Sequence, residues 1–71
     1  MDVRRRLGLN LKKFREERGL SQEAFADHCG LHRTYISGIE RGVQNLSLMA
    51  LLRIARALDV SIAELSAAAK I

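Results

Sequence analysis

The sequence predicts an all-α fold, a compact bundle of five short helices. Three observations predict it. The 71 residues are 48% hydrophobic, with no proline and three aromatics, a composition suited to packed helices. Apolar residues recur at helical spacing in each stretch between breaks. The breaks themselves, at Gly19, Gly30, Gly42 and Asp59, fall where five short helices need to end.

The first helix is expected over 3–18, with Val3, Leu7, Leu11 and Phe14 at a period near 3.6 and Gly19 as its stop. Four later starts share one signature. Ser21, His32, Ser47 and Ser61 each take the N-cap position, where a side-chain acceptor satisfies a free backbone N–H. Leu20 with Phe25, Leu31 with Ile36, Leu46 with Leu51 and Val60 with Leu65 bracket these caps as hydrophobic staples, and Ser61 with Glu64 completes a capping box. His32 is the weak cap of the set. Helices are therefore expected over 22–29, 33–41, 48–58 and 62–67. The expected inward residues are Leu7, Leu11 and Phe14; Phe25, Ala26 and Cys29; Ile36 and Ile39; Leu48, Leu51, Leu52, Ala55 and Leu58; and Ile62 and Leu65.

At this length the chain reads as a single domain, residues 1–71. No apolar run approaches the roughly 18 residues of a membrane span, and the basic N-terminal stretch lacks the apolar segment of a signal peptide. Cys29 stands alone, so it reads as a buried small hydrophobe in a reducing compartment. His28 and His32 lack further partners for a metal site, and no cofactor is expected. No acid/base pair, partnered nucleophile or phosphate loop appears, so no enzymatic activity is expected.

The net charge of +4 is uneven. Residues 1–18 hold Arg4, Arg5, Arg6, Lys12, Lys13, Arg15 and Arg18 against Asp2, Glu16 and Glu17, while the rest of the chain balances. That asymmetry suits a polyanion on one side.

Only Gly30, Leu31 and His32 join the second and third helices, which forces the tight crossing of a helix-turn-helix over residues 22–41. Such a unit needs a small residue at the crossing, a turn residue free to take positive φ, and branched apolar residues on the second helix. Ala26, Gly30, Ile36 and Ile39 meet those needs at spacings of 4, 6 and 3 residues.

With these residues, LSQEAFA, then GLHRTYISGIERG, then NLSL resemble the phage-repressor family of five-helix, helix-turn-helix DNA-binding domains. RTYISGIERG is especially similar to the controller proteins of restriction–modification systems. The resemblance spans residues 7–65. It implies that Gln22 clamps a phosphate at a helix N-terminus, a natural anion site. It implies that Arg33, Thr34 and Ser37 read base edges in the major groove, with His32 beside them. Tyr35, Arg41, Gln44 and Asn45 then grip the DNA backbone, and Arg15 and Glu40 form an internal ion pair. Two positions depart from the family. A basic residue is frequent where Gln44 stands, so that contact should be weaker, with Arg4–Arg6 and Lys12–Lys13 supplying part of the charge. Many relatives carry glutamine where Gly38 stands; either the helix backbone approaches DNA closely there, or specificity has moved to Arg33, Thr34 and Ser37.

The resemblance implies a sequence-specific regulator of transcription that binds double-stranded DNA as a homodimer, on near-palindromic half-sites about 34 Å apart. Dimer contacts are expected from the C-terminal helix at about 61–68 and its approach: Val60, Ile62, Leu65 and Ile71. No membrane contact and no small-molecule effector is expected. The location would be the cytoplasm of a bacterium, from a bacterial or phage gene, at the nucleoid. The alternative is an antitoxin-like module that uses the same fold to bind a protein; it would expose an apolar patch or carry a disordered arm, and the chain has little length left for either.

Overall fold

A computed structural model describes residues 3–67. Five helices follow in order: α1 (Val3–Glu17), α2 (Gln22–Cys29), α3 (Arg33–Glu40), α4 (Leu48–Leu58) and α5 (Ile62–Ser66), with no strand among the described residues. Residues 68–71, with the dimer contact expected at Ile71, lie outside the described residues.

Local chemistry sets both ends of nearly every helix. Ser21 Oγ accepts from Ala24 N–H, Ser47 Oγ from Ala50 N–H, and Ser61 and Glu64 close a reciprocal capping box. His32 caps α3 through Nδ1, which accepts from Thr34 N–H at 3.3 Å. The first four helices end alike. Gly19, Gly30, Gly42 and Asp59 all take positive φ. The following residue returns its N–H to a carbonyl five positions back: Leu20 to Arg15, Leu31 to Ala26, Val43 to Gly38 and Val60 to Ala55. This is the Schellman closure, which satisfies carbonyls that a helix end leaves free.

One core joins all five helices. Leu11, Phe25, Ile36, Ile54, Leu58 and Leu65 are its largest fully buried side chains. α4 differs from expectation in phase. Ala50, Ile54, Ala55 and Leu58 face inward, while Leu48 is 68% exposed and Leu52 40% exposed. The segment LMALL is apolar at every position, so its pattern fits more than one face; the packing partners select the phase. Leu65 also needs correction as a dimer contact. It is 1% exposed and belongs to the core, so it has no surface to offer a partner. Val60 and Ile62 pack against the core while remaining partly exposed.

Polar clamps hold the C-terminal helices in place. Asn10, buried in α1, donates through Nδ2 to the carbonyls of Leu65 and Ala67 and so receives the end of α5. Arg18 donates to Leu58 O at 2.7 Å, closing the end of α4, and lies over the Phe14 ring. Arg15 is 8% exposed, and Arg18, though exposed, spends its donors on the carbonyls of Phe14 and Leu58, so less of the N-terminal charge is open to a partner than the sequence implied. No helix is long and apolar enough to cross a membrane.

Candidate nucleic-acid interface

The unit from Gln22 to Glu40 is built around its turn. Gly30 sits at φ 68°, and Gly30 and Leu31 return their N–H groups to Asp27 and Ala26. Arg53 of α4 donates to Gly30 O at 3.3 Å, bracing the turn from outside. Phe25, Ala26, Ile36 and Ile39 are 0–2% exposed, so the inner faces of both helices are fully committed to the core.

That commitment fixes what α3 presents outward. His32, Arg33 and Thr34 are exposed and Ser37 is half-buried. Arg33, Ser37 and Arg41 follow at steps of four, one line along the helix. An arginine at the head of such a line carries the fork that pairs with guanine O6 and N7, and threonine adds a hydroxyl and a methyl. His32 keeps Nδ1 on the cap, which leaves Nε2 for any other partner.

The residues expected on the DNA backbone divide into three groups. Arg41 is exposed at the end of α3. Asn45 is exposed in the next loop, where its Oδ1 accepts from Arg4 Nη1 at 3.2 Å. This contact brings the N-terminal turn of α1 against the loop, and Arg5 packs on Gly42. Tyr35 is engaged inside the protein: its hydroxyl donates to Asn45 O at 3.2 Å and accepts from Ser47 N–H at 3.3 Å. With its one proton given to Asn45 O, this hydroxyl braces the loop and has no second donor for a phosphate.

Gln44 is half-buried across α3. A β-carbon on Gly38 would stand 3.1 Å from Cβ of Gln44 and 3.4 Å from its Oε1. Gly38 is itself buried, and its carbonyl accepts from the N–H groups of Val43 and Gln44. The space beside this glycine is filled from within the protein. The absent side chain makes room for the loop, and Gln44 covers the helix at that point.

Gln22 opens α2, half-buried, and donates through Nε2 to Glu40 Oε1 at 3.0 Å. Glu40 also receives Arg15 on both oxygens, Nε to Oε2 at 2.7 Å and Nη2 to Oε1 at 3.0 Å. This bidentate bond holds the Arg15 pKa above its ordinary value against the opposing effect of burial. Cys29, the last residue of α2, is buried, which pushes its thiol up to about 11. Among the described residues, no three His, Cys, Asp or Glu side chains gather as a metal site. Sequence reasoning had no role for Asn10 or Gly8; a polar residue and a glycine between the leucines of α1 were the available signals.

The sequence and the fold are similar to those of known proteins. A helix-turn-helix family profile matches residues 11–65. Control protein C.SmaI of Serratia marcescens is 42% identical over 65 residues, which cover 92% of this chain and 77% of that protein. Control protein C.MunI of a Mycoplasma species is 46% identical over 65 residues, covering 90% and 88% of the two chains. The crystal structure of the restriction-modification controller protein C.AhdI from Aeromonas hydrophila aligns with a TM-score of 0.85 at 44% identity, over 87% of this chain and 94% of that one. With that profile spanning most of its length, the chain belongs to the helix-turn-helix family.

Proposed function

We propose that the chain, as a single domain, is a sequence-specific regulator of transcription of the controller type, which binds double-stranded DNA as a homodimer on a near-palindromic operator. One observation carries this reading: α3 buries Ile36 and Ile39 completely and turns Arg33, Thr34 and Ser37 outward in one stripe. A helix so held enters the major groove, with Arg33, Thr34, Ser37 and His32 toward base edges. Gln22, Arg41, Gln44 and Asn45 flank that stripe and address the sugar–phosphate backbone, while Tyr35 holds the loop that carries two of them. Phosphate contacts position the helix and base contacts choose the sequence. The similarity to control proteins C.SmaI and C.MunI supports regulation of transcription and a cytoplasmic location. The chemistry of the stripe is recognition, not bond breaking.

Selection of bound fragments from random DNA duplexes tests the reading. The expected product is an inverted repeat whose half-sites lie one helical turn apart. A second reading, a module that binds a protein, is favoured by Leu48, Met49 and Leu52, which form an exposed apolar patch on α4. Failure to enrich any sequence at low salt would overturn the regulator in favour of that module.

A further inference from the structure

The ion pair between Arg15 and Glu40 meets the start of α2 at two points. Arg15 Nη1 donates to Leu20 O at 2.7 Å, just before the cap residue Ser21. Glu40 Oε1 accepts from both Arg15 Nη2 and Gln22 Nε2, each at 3.0 Å. Three helices therefore converge on one carboxylate whose side chain is 4% exposed.

The chemistry of that carboxylate restricts Gln22. An ionised carboxylate only accepts hydrogen bonds, so the amide nitrogen of Gln22 must face it and the amide oxygen must face away. The nitrogen carries a second N–H, directed away from the first, and Gln22 is itself the first residue of α2, where helix N–H groups are left free. Held in this way, the amide loses its rotamer freedom on folding and not on binding, which removes that entropy from the binding step. A carboxylate this close would also repel an approaching phosphate, because a buried charge is poorly screened. Arg15 neutralises it through two short bonds.

We propose that Glu40 is a positioning residue for DNA: it orients the Gln22 amide to present an N–H to a backbone phosphate, while Arg15 cancels the charge that would repel that phosphate. This inference rests on the reading of Gln22 as a phosphate contact. The ion pair is then a part of the binding face and not only a strut between helices.

The test exploits the fact that a buried ion pair is replaceable by apolar residues of similar size with little loss of stability. The 71-residue wild type, Gln22→Ala, the paired variant Arg15→Met/Glu40→Leu, and the triple variant are titrated with the selected operator duplex and with a random-sequence duplex. Urea denaturation is measured on each. The paired variant should remain folded yet lose about tenfold in affinity for both duplexes, as Gln22→Ala does, the fold-change expected of one hydrogen bond to a charged group. The triple variant should bind no more weakly than Gln22→Ala alone. Wild-type affinity in the folded paired variant, with Gln22→Ala impaired, overturns the positioning role and leaves the phosphate contact standing. Losses that multiply in the triple variant overturn it too, since the pair would then act apart from Gln22. Wild-type affinity in Gln22→Ala overturns the phosphate contact and the inference together. Should the paired variant unfold, Glu40→Gln takes its place. Its loss must vanish in the Gln22→Ala background, and equal loss in both backgrounds overturns the proposal.

Discussion

Gly8 and Ile39 meet backbone to backbone where α1 crosses the end of α3. A β-carbon on Gly8 would overlap the carbonyl oxygen of Ile39 and stand 2.8 Å from that of Glu40. Neither obstacle is a flexible side-chain tip, so α1 must lift if any side chain is added. Glycine to alanine within a helix normally stabilises by about 0.5–1 kcal/mol. Here the sign should reverse. Gly8→Ala is expected to destabilise by about 2–3 kcal/mol, in the range of core overpacking, and to loosen the Arg15–Glu40 pair two turns further along. A urea midpoint equal to or above wild type would show that α1 slides off α3 freely.

Burial of Cys29 makes stability fall at alkaline pH. The thiol titrates near 9.0 when unperturbed and is pushed up to about 11 in the fold by desolvation. Below pH 9 both states hold the proton and the contribution is constant. Between pH 9 and 11 the unfolded chain ionises while the native one resists, so stability declines, by up to about 2–3 kcal/mol. Cys29→Ala lacks this decline. Denaturation of both proteins at pH 8 and pH 11 should show their stabilities converging across that window; parallel behaviour would mean that the thiol ionises normally in the fold.

Arg33 is exposed and makes no part of the core, so its removal isolates recognition. Arg33→Ala should weaken binding to the selected operator by about 1–3 kcal/mol and relax the preference at one base pair per half-site. Helical content should not change. Titration against the operator and its single-base variants reads both effects, and an unaltered base preference would take Arg33 out of the groove.

The parts of this fold that were legible in the sequence are those fixed by near neighbours. Ser21, Ser47 and Ser61 cap groups three residues away, and Gly19, Gly30 and Gly42 each let the next residue reach a carbonyl five positions back. The parts that were not legible depend on distant partners. α4 could bury Leu48 or Ile54 as far as its own pattern shows, and the helices packed on it choose Ile54. Gly38 reads as an open groove face until the loop lays Gln44 across it. The Tyr35 hydroxyl suits a phosphate until Asn45 and Ser47 occupy it. Gly8 was a visible signal, since a lone glycine inside a helical pattern marks close approach, yet only the crossing of α3 gives it a reason.

Leu65 and Ile62 separate core from surface on the shortest helix. Leu65 is fully buried, whereas Ile62 keeps part of its side chain at the surface beside Val60. A short reading helix touches few base pairs, so useful specificity needs two copies, and a symmetric pair uses the same edge of each. We expect that edge to contain Val60 and Ile62. Ile62→Asp would then place an unpaired charge in the contact, shift the protein toward monomer and weaken operator binding steeply while helical content holds. Leu48→Asp, on the exposed face of α4, serves as the control and should remain dimeric. Sedimentation and circular dichroism on the same samples read assembly and folding together. If Leu48→Asp dissociates and Ile62→Asp does not, the dimer forms through the apolar face of α4. If Ile62→Asp loses its helix as well as its partner, Ile62 belongs to the core with Leu65, and Val60 alone remains of the proposed edge.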